Sequence, residues 1–454
     1  MFETMNPATG EPNPPVEELD AGEVEARVAR AVDRFRTWRL TPIAERAALL
    51  HRIADAFEAN KDRLARTATR EMGKTLKSAI AEVEKCVAGF RFYAEDGPSF
   101  LTDHEVAYDG GRATATWQPL GPVLAVMPWN FPYWQVVRFM APTILAGNVG
   151  LLKHASITQR CAALIEEMAL EAGAPEGLFQ NLAVKSDMVA ALIADDRIAA
   201  VTLTGSEGAG QKVAEAAGRA LKKVVLELGG SDPFIVMASA DLDNAAEVGA
   251  KARIQNAGQS CICAKRIIVH AAVYDAFLEK FTAAMGAARL GDPMAPDTDI
   301  GPLSSFEQRD TVFEQVSRAR DQGAQLLFGA QKPDLPGAYL TPGILCDVDP
   351  DSDVAREEMF GPVAMLFRVD DLDAAVALAN DVPFGLGSSI WTTDAEEEGR
   401  LVRDLQCGMV AVNQMLASVP QAPFGGIKRS GHGRELGPWG LHEFMNLKAV
   451  MRPD

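Results

Sequence analysis

Cysteine, histidine and long apolar runs are all scarce in this chain. Only 6 cysteines and 6 histidines occur in 454 residues, too few for a disulfide scaffold, and their spacing matches no zinc-binding pattern. No apolar run approaches the length that crosses a bilayer, and the opening segment MFETMNPATGEPNPP lacks the basic and apolar regions of a secretory signal. We therefore expect no bound metal, no membrane association and a reducing, cytoplasmic location.

Positive charge is also in short supply. The chain has 44 Lys and Arg against 62 Asp and Glu, a net charge of −18, which repels nucleic acid and anionic membrane surfaces. Apolar residues make up 48% of the 454 residues. A chain of this length and apolar content is too long to fold around one compact core. A chain of two well-packed domains is predicted.

The apolar pattern changes from helical to strand-like along the chain. Val24, Val28 and Phe35 recur at helical spacing near the start, and the alternating segment 112–118 is typical of a strand exposed on one face. Short apolar runs separated by amphipathic stretches then follow in two series, as in parallel sheets covered by helices. The first series contains PVLAVM, VGLLK, LFQNLAV, AAVTLT and KVVLEL, and the second contains FIVM, KRIIVH, QLLFG, VAMLFRV and GMVAV. An α/β fold with two such sheets is predicted.

Cys261, in NAGQSCICAKR, is the first candidate for chemistry. It lies between a predicted helix and the strand KRIIVH, where a loop can present a side chain to a cleft. Gly258 and Ser260 allow the backbone to approach a ligand, and free N–H groups there would lower a thiolate pKa and stabilise an oxyanion. An isolated cysteine is more often a small buried apolar residue, so this segment alone leaves both interpretations open.

Two polar residues follow apolar strands and complete the candidate set. Glu227, in VVLELGGSDP, lies at the carboxyl end of a strand, where clefts form in α/β sheets and burial makes a carboxylate more basic. Asn130, in PWNFPYWQVVR, offers a neutral amide donor at the end of PVLAVM. Taken singly, Glu227 could cap a helix and Asn130 could be an ordinary turn residue.

Together these motifs resemble the aldehyde dehydrogenase superfamily, and most closely its succinate semialdehyde dehydrogenases. The resemblance extends from NPATGE at Asn6 to FGGIKRSGHGRELG, which ends at Gly437. It implies that Cys261 is the nucleophile, that Glu227 activates the hydrolytic water, and that the Asn130 amide and the Cys261 N–H form the oxyanion hole. An aldehyde would then be oxidised through a thiohemiacetal and a thioester, which water hydrolyses to the acid.

The same resemblance implies a domain plan. Residues 1–100 and 120–229 would form the cofactor-binding domain, and residues 230–428 the catalytic domain, both doubly wound α/β units. Residues 101–119 and 429–454 would form a small β bridge through which a homodimer or homotetramer assembles.

Cofactor residues can be inferred in the same way. Lys153 and Glu358 are expected to bind the two riboses of NAD or NADP, and Phe360 to pack near the nicotinamide. Relatives selective for NAD commonly carry a glutamate at the position of Ser156, where it repels a 2′-phosphate. Because a serine can instead hydrogen-bond that phosphate, NADP is expected to be accepted, either beside NAD or in preference to it.

The segment TGSEGAG opens a helix after the strand AAVTLT. The resemblance places Gly205, Ser206 and Trp129 near the pyrophosphate, at a helix start that favours anions. This segment is not a GxGxxG motif, and by itself it would indicate only a strand-to-helix turn.

Arg138 bears on the substrate. It lies eight residues after Asn130, where succinate semialdehyde dehydrogenases carry an arginine for the distal carboxylate, and a guanidinium suits that role. Gln255 stands where many of them have a second arginine, and Arg138 could equally be structural. Succinate semialdehyde is the expected substrate, with another aliphatic or aromatic aldehyde as the alternative.

Three further alternatives stay open at this point. Cys263 could trap Cys261 in a reversible disulfide or simply pack in the core. The acyl group could pass to coenzyme A instead of water, although Glu227 favours water. The chain could also be a non-enzymatic scaffold protein, against which Lys153 and the three catalytic candidates argue.

Overall fold

The computed structural model describes residues 1–453. Its helices are α1 (Ala21–Trp38), α2 (Ile43–Ala59), α3 (Lys61–Met72), α4 (Leu76–Glu95), α5 (Trp134–Ala146), α6 (Gln159–Glu171), α7 (Val189–Ala194), α8 (Glu207–Arg219), α9 (Leu242–Ile254), α10 (Tyr274–Ala287), α11 (Phe306–Asp321), α12 (Asp353–Arg356), α13 (Leu372–Asn380), α14 (Ala395–Asp404) and α15 (Gly437–His442). Its strands are β1 (His104–Tyr108), β2 (Gly111–Pro119), β3 (Pro122–Met127), β4 (Val149–His154), β5 (Phe179–Asn181), β6 (Ala200–Thr204), β7 (Lys223–Glu227), β8 (Pro233–Val236), β9 (Arg266–His270), β10 (Gln325–Gly329), β11 (Gly343–Cys346), β12 (Val363–Val369), β13 (Phe384–Gly385), β14 (Gly387–Trp391), β15 (Met409–Val412), β16 (Ile427–Lys428), β17 (Gly431–His432) and β18 (Met445–Arg452).

The first sheet has the order β17-β7-β6-β3-β4-β5. Strands β3 to β7 run parallel to one another, and β17 pairs antiparallel with β7 at the edge. Nearly every residue of β3, β4 and β6 is buried, because helices cover both faces and the strands are apolar throughout. The carboxyl ends of β3, β6 and β7 therefore meet at one edge.

Helices α1 to α4 pack on this first sheet and share its core. Helix α1 begins with a capping box in which Asp20 and Glu23 satisfy each other's backbone N–H groups. Helix α4 carries Glu82 into the interior, where it forms a buried ion pair with Lys74 and accepts hydrogen bonds from the backbone N–H groups of Tyr133 and Trp134. This carboxylate fixes the start of α5 beside the edge at which the first sheet ends.

The second sheet has the order β10-β11-β12-β9-β8-β14-β15. All of its strands are parallel except β10, which pairs antiparallel with β11. Separate apolar clusters lie on its two faces, as expected for a sheet covered on both sides. The predicted α/β class with two doubly wound units is confirmed.

A third, small sheet is formed by β1, β2 and β18. Strand β18 pairs with β2 over its whole length, from Met445 opposite Pro119 to Arg452 opposite Arg112. The preceding segment does not join this sheet, because β17 adds to the first sheet and Leu441 and Phe444 enter the first core. Of the described part of the proposed bridge segment, residues 429–453, only β18 belongs to this third sheet.

Several details of the second sheet were not evident from the apolar pattern. Strands β11 and β14 were not predicted, since GILC is short and GSSIW contains two serines. The run QLLFG is a strand, but it alternates in exposure at an antiparallel edge and is not a buried parallel strand.

No helix of residues 1–453 is long and apolar enough to cross a membrane.

Candidate active site

A cavity of about 260 Å³ opens between the two sheets. The carboxyl ends of the first sheet form one side, and the loops that precede β9 and β12 in the second sheet form the other. The residues around it are Pro128, Trp129, Asn130, Gln135, Thr204, Gly205, Ser206, Glu227, Leu228, Gly229, Cys261, Gln308, Glu358 and Phe360. The structure therefore brings together the candidate nucleophile, the candidate base, the candidate oxyanion donor and five of the predicted cofactor residues.

A buried hydrogen-bond network joins the loops that carry Asn130 and Cys261. The Asn256 amide donates to the Asn130 carbonyl at 2.8 Å and to the Gln259 carbonyl at 3.2 Å. The Asn130 Nδ2 donates to the same Gln259 carbonyl at 3.0 Å, and the Gln259 side chain accepts from the Ser304 backbone N–H. Because an amide nitrogen carries two N–H groups, Asn130 keeps one for a ligand.

The backbone before Cys261 is held in an unusual conformation. Asn256, Ala257 and Gly258 all have positive φ, at 54°, 54° and 74°, where asparagine and glycine are the better tolerated residues. A Cβ on Gly258 would lie 2.2 Å from backbone atoms of Gly361, so only glycine fits. No acceptor within residues 1–453 takes the Cys261 backbone N–H, which leaves it free for an oxyanion.

The Cys261 thiol is protonated at neutral pH in this arrangement. Burial raises its pKa to about 12, although the charges of Arg138 and Lys265 act in the opposite direction. The Lys265 ammonium donates to the carbonyls of Ser260 and Cys261 itself. A nucleophilic thiolate at this position therefore requires a base that takes up its proton.

Glu227 is a carboxyl group that could act as that base. It is buried, and neither carboxyl oxygen has a hydrogen-bond partner among residues 1–453. Burial first, and then the negative charge of Glu435, raise its pKa well above the usual range. A carboxylate left unpaired in this way is a stronger proton acceptor than a solvated one.

The loop that carries Trp129 and Asn130 is anchored by His154, at the end of β4. Its Nε2 lies 2.9 Å from the Pro132 carbonyl, and its Nδ1 accepts from the Ala155 N–H and the Thr158 hydroxyl. This pattern requires a neutral ring with the proton on Nε2. Burial accordingly lowers the pKa of His154 to about 4, although the hydrogen bond to Pro132 opposes the shift.

The predicted cofactor residues extend outward from the cavity along the first sheet. Ser206 caps α8 by accepting from the Ala209 N–H. Ser156 is exposed at the end of β4, and the Lys153 ammonium donates to the Ser186 hydroxyl at 3.2 Å. These side chains follow or end β4 and β6, which flank β3, so they lie at the same edge of the first sheet as the cavity.

On the opposite side, Glu358 forms an ion pair with Lys265 at 3.0 Å. The ring of Phe360 meets the ring of Trp129 edge to face, with centroids 5.8 Å apart. An aromatic wall and a carboxylate thus face the start of α8 across the cavity. The arrangement suits a planar ring and a sugar hydroxyl, respectively.

Sequence comparison agrees with this arrangement. The profile of the aldehyde dehydrogenase family matches residues 1–450. The chain belongs to the aldehyde dehydrogenase family. It is therefore an oxidoreductase that oxidises aldehydes with NAD or NADP.

Individual members of the family are similar over almost the whole length. A Mycobacterium tuberculosis protein named succinate-semialdehyde dehydrogenase [NADP(+)] 1 is 50% identical over 450 residues, which cover 98% of each chain. A probable enzyme of the same kind from Synechocystis is 49% identical over 447 residues, again 98% of each. The crystal structure of succinic semialdehyde dehydrogenase from Streptococcus pyogenes, in complex with NADP+, matches with a TM-score of 0.98 at 38% identity, covering 100% of both chains.

Arg138 of this aldehyde dehydrogenase does not line the cavity that holds Cys261. Its guanidinium is buried on α5, where Nε lies 2.8 Å from Glu435 and the group stacks 4.3 Å from the centre of the Phe424 ring. Two buried nitrogens, Nε and Nη2, have no well-directed hydrogen-bond partner among residues 1–453. Nε is close enough to Glu435 for an ion pair, and Nη2 has no carboxylate partner.

Cys263 of the dehydrogenase lies in the same loop as Cys261 but on its buried side. It is buried, and its thiol contacts the Gln255 carbonyl at 3.7 Å. Both Cys261 and Cys263 are free thiols in this structure, and a disulfide between them would require the loop to rearrange. The redox hypothesis stays a prediction.

Three residues with evident roles were not singled out in the sequence. His154 and Asn256 hold the two loops, and Lys265 pairs with Glu358. Their motifs, KHAS, QNAG and CAKR, adjoin residues that were singled out. The partner that decides each role, however, is distant in sequence: Pro132 for His154, Asn130 for Asn256 and Glu358 for Lys265. Within residues 1–453 no group of three or more His, Cys, Asp or Glu is arranged to hold a metal ion.

The low pKa of His154 predicts an acid-sensitive contribution to stability. Its pKa falls from 6.5 in a model peptide to about 4 in the fold, so the contribution is present above pH 6.5 and is lost as the pH falls toward 4. By linkage it amounts to roughly 3 kcal/mol at neutral pH. Urea unfolding of wild type and His154→Asn at pH 7.5 and pH 5 measures it.

The free-energy difference between these two proteins should shrink at pH 5. His51→Asn, at a half-buried position, serves as the control. Its free energy of unfolding should differ from that of wild type by the same amount at both pH values. An equal difference between wild type and His154→Asn at both pH values would contradict a neutral, buried His154.

Proposed function

We propose that this enzyme oxidises succinate semialdehyde to succinate, with NADP as the hydride acceptor and a thioester on Cys261 as the intermediate. The observation that carries the chemistry is that Cys261, Glu227 and Asn130 line one cavity together with Trp129 and Phe360. The relatives named as NADP-dependent succinate semialdehyde dehydrogenases support the substrate and the cofactor.

Acylation begins with the thiol of Cys261. Glu227 takes the thiol proton, since the other carboxylate of the cavity, Glu358, is neutralised by Lys265. The thiolate adds to the aldehyde carbon, and the carbonyl electron pair moves to the oxygen. The free N–H of the Asn130 amide and the Cys261 backbone N–H stabilise that oxyanion.

Deacylation uses the same carboxylate. A bound nicotinamide would supply the oxidising chemistry by taking up the hydride of the thiohemiacetal carbon, so that Cys261 carries a thioester. Glu227 first releases the thiol proton to solvent. It then removes a proton from water, the hydroxide oxygen adds to the thioester carbon, and the Cys261 thiolate leaves. The products are the carboxylic acid and the regenerated nucleophile.

The residues around the cavity fit a phosphorylated dinucleotide. A Cβ on Gly208 would meet nothing within 4 Å, and one on Gly205 would meet only Leu203, so the start of α8 is open to the pyrophosphate. Lys153 and Ser156 would hold the adenosine ribose and its 2′-phosphate. Trp129 and Phe360 would bracket the nicotinamide end, and Glu358 would bind the second ribose.

We assign cofactor binding to residues 1–100 and 120–229 and catalysis to residues 230–428. Assembly as a homodimer or homotetramer is proposed through the sheet of β1, β2 and β18. Val106, Leu447 and Met451 on this sheet are at least half exposed, which suits burial against a second copy. A cytoplasmic location is proposed from the six cysteines, all of which are free thiols.

Glu227→Gln is expected to slow both acylation and deacylation, because the same carboxylate is the base in each step. Removing the base should lower kcat by about 10²- to 10⁴-fold, and the first turnover should release reduced cofactor more slowly than in wild type. Stopped-flow absorbance measures the rate of that first turnover, and intact-protein mass spectrometry measures how much acyl adduct on Cys261 builds up. In wild type, the raised pKa of Glu227 predicts that kcat falls as the pH is lowered, and this dependence should disappear in the variant.

The exposed Glu398→Gln on α14 is the matched control and should behave as wild type. Retention of full turnover by Glu227→Gln would remove Glu227 from the mechanism. Consumption of free coenzyme A by wild type would point instead to the acylating alternative.

Ser156→Glu is expected to reverse the cofactor preference. The new carboxylate would repel the 2′-phosphate and remove a hydroxyl donor, which should lower kcat/KM for NADP by about 10- to 100-fold and affect NAD much less. Initial rates with both cofactors at saturating aldehyde measure the ratio. Ser99→Glu adds the same charge to an exposed turn and should leave the ratio unchanged; a strong NAD preference in wild type would overturn the NADP assignment.

The substrate assignment is tested with succinate semialdehyde, glutarate semialdehyde, butanal and benzaldehyde under saturating NADP and then NAD. Semialdehydes should lead in wild type, because the free Nη2 of Arg138 can bind a carboxylate. Arg138→Met should lose that lead. The double variant Arg138→Met with Glu435→Gln separates the loss of carboxylate binding from the effect of leaving the Glu435 carboxylate buried without its partner. If butanal or benzaldehyde were best and both variants kept the wild-type order, succinate semialdehyde would be excluded as the preferred substrate.

A further inference from the structure

Lys85, on α4, is half-buried, and its ammonium group has no carboxylate partner among residues 1–453. Its Nζ donates to the Ser418 hydroxyl at 2.8 Å and lies 4.6 Å from the centre of the Trp134 ring. No carboxylate oxygen of residues 1–453 lies within 4.0 Å of this nitrogen. A cation in such surroundings is costly unless an anion joins it.

Of the three lysines that are fully buried among residues 1–453, Lys153 has the Ser186 hydroxyl as its partner and the other two are neutralised by carboxylates. Lys74 forms an ion pair with Glu82, and Lys265 forms one with Glu358. Lys85 has instead a hydroxyl and an indole face, which solvate a cation but do not cancel its charge. Burial, together with the charge of Arg138, lowers the pKa of Lys85 to about 8, as expected for uncompensated positive charge.

Lys85 is linked through Ser418 and Trp134 to the helix that carries Arg138. Trp134 donates its indole N–H to the same Ser418 hydroxyl, and it lies one helical turn before Arg138 on the same face of α5. Ser418 and the Phe424 ring that stacks on Arg138 border one cavity of about 360 Å³.

Charge effects point the same way. The charge of Arg138 acts on both Cys261 and Lys85, and that of Cys261 acts on Lys85. Arg138 is therefore close to both groups.

We propose that Lys85 determines specificity by binding the distal carboxylate of the aldehyde, together with Arg138. The proposal rests on the substrate class proposed above. Because Glu435 already pairs with Arg138, the uncancelled positive charge of this cluster belongs to Lys85. An ω-carboxylate would complete the ion pair that the chain itself does not supply, whereas an uncharged aldehyde would leave Lys85 unpaired.

Two variants test this role. Lys85→Met keeps the length of the side chain without charge, and Lys85→Gln removes the charge but keeps a donor for Ser418. Both should lower kcat/KM for succinate semialdehyde by about 10- to 100-fold, mainly through KM, and leave butanal within about twofold of wild type. The surface variant Lys280→Met removes the same charge elsewhere and should change neither substrate.

Calorimetric titration of the intact enzyme with succinate and with butyrate gives a second readout that needs no turnover. Succinate should bind wild type and bind both Lys85 variants about 10-fold or more weakly, with butyrate little changed. A retained semialdehyde preference in Lys85→Gln, or unchanged succinate affinity, would overturn the role of Lys85. Wild type without a semialdehyde preference but with Lys85-dependent succinate binding would instead refute the proposed substrate alone.

Discussion

The hydrogen bonds of the Asn256 side chain connect the two halves of the active site. One amide group donates to the Asn130 carbonyl in the first unit and to the Gln259 carbonyl in the second. The Gln259 carbonyl also accepts from the Asn130 amide, so the side chains of Asn130 and Asn256 share a single acceptor in the loop that carries Cys261. Since this network is buried, each lost bond would leave an unsatisfied polar group, and the geometry of the two loops is correspondingly well defined.

Two carboxylates near the active site are neutralised by lysines, and a third is not. Glu82 is paired with Lys74 and also caps the start of α5, and Glu358 is paired with Lys265. Among residues 1–453 Glu227 has no such partner, and its pKa is raised. Burying an unpaired ionisable group costs stability, and such a cost is typical of groups kept for catalysis or binding.

The elements that position the site could be predicted from the sequence where a local pattern of apolar residues defines them. The strands before Asn130 and Glu227 were predictable from their apolar runs, because strands buried on both faces have no polar alternation. Strand β14, with Ser388 and Ser389, gave no such signal, and its serines are instead satisfied by contacts from β15 and the loop after it. The pairing of Arg138 with Glu435 could not be predicted, because nearly three hundred residues separate the two in the chain.

The sequence by itself determined the α/β class, the family and the identity of the reactive groups, since motif order and residue chemistry are properties of the chain. Only the tertiary structure decided the state of those groups. Burial and the field of distant charges set the pKa of Cys261 and Glu227, and the fold places Lys85 beside Ser418 with no counter-ion among residues 1–453. Solvation and charge–charge energies depend on distance in space, and the fold alone brings residues 85, 138, 261 and 435 together.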